Sequence, residues 1–209
     1  MTLGMREIDK RIDRYDLGLI PNTHLRKMLR TGKAGMSMGF PSLSLLYFSA
    51  LCSLPRDGSA VVVETGTNMG SGTIALAQAV KDAGGGIVHT IEISSNYGQA
   101  KENIKQAGLD SYTNLIHGDS LTELLVLAAE NKIIHFAFLD GAHDCESIVA
   151  EFVTLRPAIL ASNGKIFFDN TSYVGVLSAL EYIKKTYGGN FVEFLNCSHR
   201  PPGNMIWQG

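Results

Sequence analysis

From Ala60 onward, the sequence alternates short runs of β-branched and aromatic residues with longer segments of helical periodicity. This alternation is typical of βαβ units, in which crossover helices join parallel strands. Helices are therefore expected between the strands and after the fifth one, and paired or single glycines mark several helix ends. The predicted parallel strands are residues 60–64, 86–92, 113–118, 133–140 and 165–170.

The last part of the chain predicts two more strands, at 191–197 and 204–209, separated by the short stretch SHRPPG. Because a connection of this length cannot hold a crossover helix, the two strands must be antiparallel. The fold class is therefore α/β, with a doubly wound, mostly parallel seven-stranded sheet and one antiparallel strand from a C-terminal hairpin. We expect a single domain over 1–209, with residues 1–57 as a helical N-terminal cover on a core at 58–209.

The composition excludes several classes of function. Eighteen Lys and Arg against 20 Asp and Glu give a net charge of −2, so nothing favours a nucleic acid partner. Cys52, Cys145 and Cys197 lack the CxxC pairing of a zinc or redox site and fit a reducing compartment. No apolar run approaches the roughly 20 residues of a membrane span. We therefore expect a cytoplasmic protein that does not bind membranes.

A glycine-rich turn follows the first predicted strand, in the stretch ETGTNMGSG. Glycines at such a position let the backbone approach a ligand, and the next helix offers free N–H groups. The spacing of Gly66, Gly70 and Gly72 is G-x-x-x-G-x-G, which matches neither the dinucleotide motif nor a Walker A loop. A pyrophosphate ligand is therefore disfavoured.

An acidic residue ends each of the first three predicted strands: Glu64, Glu92 and Asp119. Glu64 would attract a cationic group, Glu92 is placed to accept ribose hydroxyls, and Asp119 could accept an adenine amino group. Each acid alone is more simply explained as a helix cap. Three in succession beside a glycine turn favour a nucleoside ligand that carries positive charge, such as S-adenosylmethionine.

The next two strand ends carry Asp140 and the pair Asp169–Asn170. Neighbouring strand ends lie about 5 Å apart, so these side chains can converge. Their oxygen atoms suit a hard cation such as Mg²⁺, whereas zinc is disfavoured. The alternative for both strand ends is ordinary polar turn chemistry. His143 is either an exposed turn residue or a general base, and Asp144 is expected to cap the following helix.

The motifs ETGTNMG, HTIEI and HGDS resemble, in order and spacing, those of class I S-adenosylmethionine-dependent methyltransferases, which have a Rossmann-like fold. The resemblance implies that Gly66 lies beneath the methionine part, that Glu92 holds the ribose, and that Asp119 and Ser120 lie beside the adenine. The cofactor-binding residues expected on this basis are Met38, Glu64, Gly66, Thr67, Asn68, Gly70, Glu92, Ile93, Asp119, Ser120 and Asp140.

The second half of the site is similar to that of metal-dependent O-methyltransferases, of the catechol, caffeoyl-CoA and macrolide-sugar types. This similarity implies that Asp140, Asp169 and Asn170 bind the ion and that His143, three residues after the first Asp, is the base. The segment GMSMGF resembles one that covers the cofactor in catechol-type enzymes, which implies a contact from residues 36–38. The loop that follows the Asp-Asn pair in catechol enzymes is absent, so their substrate residues are not carried over.

The sequence therefore predicts an S-adenosylmethionine- and Mg²⁺-dependent O-methyltransferase that acts on a small hydroxylated metabolite. Residues 25–40 and the SHRPPGN stretch are expected to frame the acceptor. Two alternatives stay open: a metal-independent methyltransferase acting on nitrogen or oxygen, and a binding module without catalysis. By family analogy, the apolar N-terminal helices suggest a homodimer.

Overall fold

A computed structural model describes residues 20–31, 39–130, 133–194 and 203–209 of the chain. Within these ranges the helices are α1 (Thr23–Thr31), α2 (Phe40–Leu51), α3 (Ser71–Asp82), α4 (Tyr97–Gln106), α5 (Ser120–Glu130), α6 (Cys145–Ser162) and α7 (Val174–Tyr187). The strands are β1 (Ala60–Thr65), β2 (Gly86–Glu92), β3 (Thr113–His117), β4 (Phe136–Leu139), β5 (Lys165–Phe168), β6 (Asn190–Phe194) and β7 (Asn204–Gln208).

The seven strands form one sheet in the order β3-β2-β1-β4-β5-β7-β6. Strands β1 to β5 pair in parallel, and β7 pairs antiparallel with both β5 and β6. The predicted fold class is confirmed, including the antiparallel strand that the C-terminal hairpin inserts. Because β1 to β5 run in one direction, their carboxyl ends meet at the same edge of the sheet.

The fourth strand is shorter than predicted, since it begins at Phe136 and not at residue 133. The reason lies in His135, whose ring Nδ1 accepts a hydrogen bond from the backbone N–H of Val61 at 3.1 Å. Ile134 turns away from the ladder and donates its N–H to the carbonyl of Ala158. The strand thus keeps only its buried core, FAFL.

Helices cover both faces of the sheet, as a doubly wound fold requires. On one face, residues of α2 and α3 such as Leu46 and Leu76 share a buried cluster with Phe138 of β4. On the other face, residues of α6 and α7 such as Phe152 and Leu180 pack around the strands in a second cluster. The described core therefore lies in two layers, one on each face of the sheet.

The helices of the predicted N-terminal cover pack against α3. Leu25 of α1 and Leu43 of α2 are fully buried in the cluster that contains α3, and Asn22 donates from Nδ2 to Oε1 of Gln78. The division of the chain at residue 57 stays a prediction. No helix among the described residues is long and apolar enough to cross a membrane.

Candidate functional site

A cavity of about 730 Å³ lies at the carboxyl ends of the parallel strands. It is lined by the loops that follow all five parallel strands and by the start of α2, so it spans the crevice that the sequence predicts. The predicted site residues among its lining are Gly66, Asn68, Glu92, Ile93, Asp119, Ser120, Asp140, His143, Asp169 and Asn170.

The glycine turn after β1 brings the backbone of Gly66 against the loop after β4. Gly66 has a φ of +84°, and a Cβ added to it would lie 2.5 Å from the carbonyl oxygen of Asp140. The N–H groups of Gly66 and Thr67 both point to the carbonyl oxygen of Ile91, at 3.1 and 3.2 Å. The turn is therefore fixed between β2 and β4, and only glycine fits at its first position.

Glu64, Thr67 and Gly70 do not line the cavity, although the sequence places them in the cofactor site. Glu64 is buried beneath the turn, where its Oε2 accepts hydrogen bonds from the hydroxyls of Thr73 and Thr90. Burial raises the pKa of Glu64 to about 7. This carboxyl supports the base of the turn from below, and its predicted contact with the cofactor stays a prediction.

Glu92, at the end of β2, faces the cavity with both carboxylate oxygens held by backbone N–H groups. Oε2 accepts from the N–H of Asn68 at 2.5 Å, and Oε1 accepts from the N–H of Ser94 at 2.7 Å. Asn68 adopts a left-handed conformation with a φ of +49°, and its Oδ1 accepts from Nδ2 of Asn96. Glu92 therefore joins the glycine turn to the loop after β2, in the position expected of a carboxylate that accepts ribose hydroxyls.

The loop after β3 carries Asp119 and Ser120 at the start of α5. Asp119 is exposed and accepts the N–H of Thr122 on Oδ1 at 3.2 Å, which is the helix-capping bond expected of an isolated acid at this place. Asp119 nevertheless lines the cavity beside Ser120 and Leu121. The capping role and a role in binding are thus compatible at this position.

The ends of β4 and β5 bring four predicted residues together. The Nδ2 atom of Asn170 lies 2.9 Å from Oδ1 of Asp140, 3.5 Å from Oδ2 of Asp169 and 3.0 Å from Nε2 of His143. Asn170 adopts a left-handed conformation with a φ of +56°, which turns its side chain back into the cluster. The convergence predicted from two separate strand ends is therefore present.

The two carboxyl groups of this cluster are costly to ionise. Burial raises the pKa of Asp140 well above its usual range, and the negative charges of Asp169 and Glu64 raise it further, whereas Asn170 lowers it. Burial also raises the pKa of Asp169. His143 lies at the exposed rim of the cavity, and the burial of part of its ring lowers its pKa. The cluster thus combines two carboxyl groups, which a nearby positive charge would stabilise in their ionised form, with an imidazole that is neutral at pH 7.

Asp144 caps α6, as the sequence predicts: its Oδ1 accepts the N–H of Ser147 at 2.9 Å. The cap fixes the start of the helix directly after His143. The ring of His143 also meets Tyr173 edge to face, with 5.0 Å between the ring centroids. His143 is therefore held from both sides at the rim of the cavity.

Three residues that support this cluster were missed from the sequence. Fully buried Asn204 of β7 donates from Nδ2 to Oδ1 of Asp169. Gly175 of α7 lies so close to the loop after β4 that an added Cβ would be 2.2 Å from the carbonyl oxygen of His143. Tyr173, which lines the cavity, follows the Asp-Asn pair so closely that its position in the sequence could have revealed it.

The described parts of the chain contain no group of three or more His, Cys, Asp and Glu side chains placed to hold a metal ion. The set that the sequence proposes for Mg²⁺ has two carboxylates and one amide, so its third oxygen would come from Asn170. In this structure it is the amide nitrogen of Asn170 that faces the carboxylates. The magnesium site therefore stays a prediction.

Residues 36–38, including Met38, lie outside the described residues, as does most of the SHRPPGN stretch. Gly39, Pro41 and Ser42, at the start of α2, line the cavity. The described residues that directly follow residue 38 therefore border the site.

A family model described as a methyltransferase domain matches residues 63–171, just over half of the chain. The fold is similar to that of the O-methyltransferase from Bacillus cereus in complex with SAH (TM-score 0.77, 21% identity, 98% of this chain and 99% of that one). It is also similar to the O-methyltransferase TomG from Streptomyces achromogenes, involved in tomaymycin synthesis, in complex with SAM (TM-score 0.76, 18% identity, 99% and 98%). No curated protein matches the chain by sequence.

Proposed function

The chain belongs to the family of methyltransferase domains and is an S-adenosylmethionine-dependent methyltransferase, and we propose that it methylates a hydroxyl oxygen of a small metabolite. The observation that carries this proposal is the convergence of Asp140, His143 and Asn170 in the same cavity as Glu92. One end of the cavity is suited to a nucleoside and the other to proton transfer. The similar solved enzymes from B. cereus and S. achromogenes are O-methyltransferases, which supports the choice of oxygen.

At the nucleoside end, the residues that would bind S-adenosylmethionine are Gly66, Asn68, Glu92, Asp119 and Ser120. The carboxylate of Glu92 is already oriented by two backbone N–H groups and retains lone pairs for ribose hydroxyls. Gly66 lets the backbone come close to the ligand without a side chain in the way. The cofactor supplies an electrophilic methyl group on a sulfonium.

At the other end, His143 would be the general base. Its Nε2 faces Nδ2 of Asn170 at 3.0 Å, so the amide donates and Nε2 is the unprotonated nitrogen of a neutral ring. The lowered pKa of His143 keeps that ring neutral at pH 7. A neutral imidazole at the rim can take the proton of an acceptor hydroxyl as its oxygen is methylated.

Asp140, Asp169 and the side-chain oxygen of Asn170 would hold a divalent cation. Two buried carboxyl groups with raised pKa values are stabilised by a positive charge between them. Rotation of the Asn170 amide would present its oxygen to the ion and release His143 from its present hydrogen bond. A bound Mg²⁺ lowers the pKa of a hydroxyl that it coordinates.

A metal-independent methyltransferase is the second candidate, and the position of the Asn170 amide favours it. The NH₂ group already makes hydrogen bonds to Asp140 and His143, so the cluster is held together by protein groups alone. In that case Asp140 and Asn170 would contact the acceptor directly. Sensitivity to EDTA separates the two candidates.

The acceptor would be a small hydroxylated molecule bound between the cluster and Tyr173. A cavity of about 730 Å³ is in the usual range for small-molecule sites. The balanced charge of the chain agrees with a partner other than nucleic acid. We also propose that the protein is a cytoplasmic homodimer.

The proposal is tested by isothermal titration of SAH, followed by a screen of hydroxylated acceptors that detects SAH release from S-adenosylmethionine. We expect micromolar SAH binding, turnover with at least one acceptor class, and loss of turnover in EDTA that Mg²⁺ restores. Asp169→Ala should lose turnover and keep SAH binding. Absence of SAH binding would overturn the proposal, and turnover unaffected by both EDTA and Asp169→Ala would leave only the metal-independent form.

A further inference from the structure

Glu151 of α6 is a fully buried carboxyl group to which neither the cofactor site nor the proton-transfer cluster assigns a role. The hydroxyl of Thr65, the last residue of β1, donates to its Oε2 at 3.2 Å. The hydroxyl of Ser120, the first residue of α5, also hydrogen bonds to it. Glu151 therefore joins the end of β1 to the start of α5, from a position beneath them.

The other carboxylate oxygen of Glu151, Oε1, is buried and has no hydrogen-bond partner. A buried carboxyl group with an unsatisfied oxygen costs free energy that packing alone does not explain. A methionine or leucine at this place in α6 would fill the space without that cost. The carboxyl group of Glu151 at this buried position therefore indicates a role that depends on its hydrogen bonds with Thr65 or Ser120.

Ser120 is the member of this group that reaches the cavity. As the first residue of α5, it also belongs to the turn whose N–H groups have no partner within the helix. An ionised Glu151 can only accept from the Ser120 hydroxyl, which leaves the lone pairs of Ser120 for a ligand. A neutral Glu151 can instead donate to Ser120, which then presents its hydrogen. The protonation state of Glu151 therefore determines whether the Ser120 hydroxyl binds a donor or an acceptor group of a ligand.

We propose that Glu151 is a positioning residue for the nucleoside end of the cofactor: it orients the Ser120 hydroxyl, and with it the first turn of α5, toward the cavity. This inference rests on the proposed function, because it takes the Ser120 side of the cavity as the nucleoside end. The pKa of Glu151 is raised to about 7: burial is the main cause and the charges of Asp119 and Asp144 add to it, while the hydrogen bonds from Ser120 and Thr65 oppose it. The affinity for the cofactor product is therefore expected to respond to pH near neutrality.

The experiment is a double-mutant cycle on SAH affinity, measured by isothermal titration at pH 6.0 and pH 8.5. Glu151→Gln, Ser120→Ala and the double variant are compared with Glu146→Gln, an exposed control on the same helix. We expect each single variant to weaken SAH binding on the order of tenfold. The double variant should be no weaker than either single one, since Glu151 acts through Ser120.

The pH response supplies a second readout that a purely structural role would not change. The part of the pH dependence of SAH affinity that is due to Glu151 should disappear in Glu151→Gln. It should also disappear in Ser120→Ala. That variant keeps the buried carboxyl group, so the test does not depend on whether Glu151→Gln folds. Additive losses in the double variant, or an unchanged pH response in Ser120→Ala, would overturn the inference. Failure of the unmodified protein to bind SAH would instead overturn the proposed function.

Discussion

The Cα of Gly66 packs against the carbonyl group of Asp140 so closely that an added Cβ would lie 2.5 Å from its oxygen and 2.7 Å from its carbon. The glycine turn, in the proposed nucleoside half of the site, therefore touches Asp140, the first residue of the proposed proton-transfer half. Asp140 also donates its N–H to the carbonyl of Thr65, the residue before Gly66. The two halves of the site are fixed to each other through backbone atoms.

Gly66→Ala should consequently damage both halves. The φ of +84° is strained for alanine, and the new methyl group must push the Asp140 backbone away. We expect a loss of about 2 to 4 kcal/mol in the free energy of unfolding and at least a tenfold loss of SAH affinity. Urea denaturation and isothermal titration measure the two effects.

Gly98→Ala is the matched control, because Gly98 lies in α4 with no atom within 4 Å of an added Cβ. Alanine there should be neutral or stabilise by about 0.5 to 1 kcal/mol through its higher helix propensity. SAH affinity should be unchanged. Equal behaviour of the two alanine variants would contradict the close packing of Gly66 on Asp140.

Gly175→Ala should affect the proton-transfer half alone. The added Cβ would meet the carbonyl oxygen of His143 at 2.2 Å, so the loop that carries this histidine must shift. Because near-contact geometry is needed for proton transfer, we expect kcat to fall about tenfold to a hundredfold. SAH affinity should remain within about twofold, since Gly175 does not line the cavity. Ser178→Ala, at an exposed position of the same helix, is expected to change neither quantity.

His143→Ala removes the proposed base and should lower kcat by about 10² to 10⁴. The fold and SAH binding should persist, because His143 is exposed at the rim. Single-turnover kinetics with an acceptor found in the screen isolates the chemical step. A variant that retained its full single-turnover rate would remove His143 from the mechanism.

The sequence was sufficient to predict the sheet and to bring together the strand-end residues that line the cavity, and the reason is topological. In a parallel sheet, residues that end successive strands must meet at one edge, so Glu92, Asp140 and Asp169 could be grouped without coordinates. The antiparallel strand was predictable because SHRPPG is too short for a crossover. By contrast, the left-handed conformations of Asn68 and Asn170 could not be predicted, because asparagine is also common in turns without a positive φ.

The residues that the sequence did not reveal act through tertiary contacts. Asn204 reaches Asp169 only because Phe168 pairs with Met205 in the antiparallel register, and no sequence spacing fixes that register. Glu151 lies in mid-helix, where a charged residue is expected to face solvent, yet it is buried beneath the end of β1 and the start of α5. The same limit applies to Glu64: its position at a strand end did not reveal that its side chain is buried beneath the glycine turn, where it accepts from Thr73 and Thr90.

Glu64 also makes a testable contribution to the pH dependence of stability. Its pKa of about 7 in the folded protein lies above the usual value of 4.5 expected in the unfolded chain. The neutral carboxyl is thus favoured by folding, so this contribution to stability is fully present below pH 4.5 and is lost as pH rises through 7. A shift of this size corresponds to about 3 kcal/mol as an upper value.

In Glu64→Gln, the difference in unfolding free energy between pH 5 and pH 8.5 should shrink by up to that amount. Because Glu151 titrates in the same range and is unchanged in this variant, the difference between the two proteins isolates Glu64. Urea denaturation at both pH values measures the effect, and parallel stability curves for the two proteins would show that Glu64 does not titrate there.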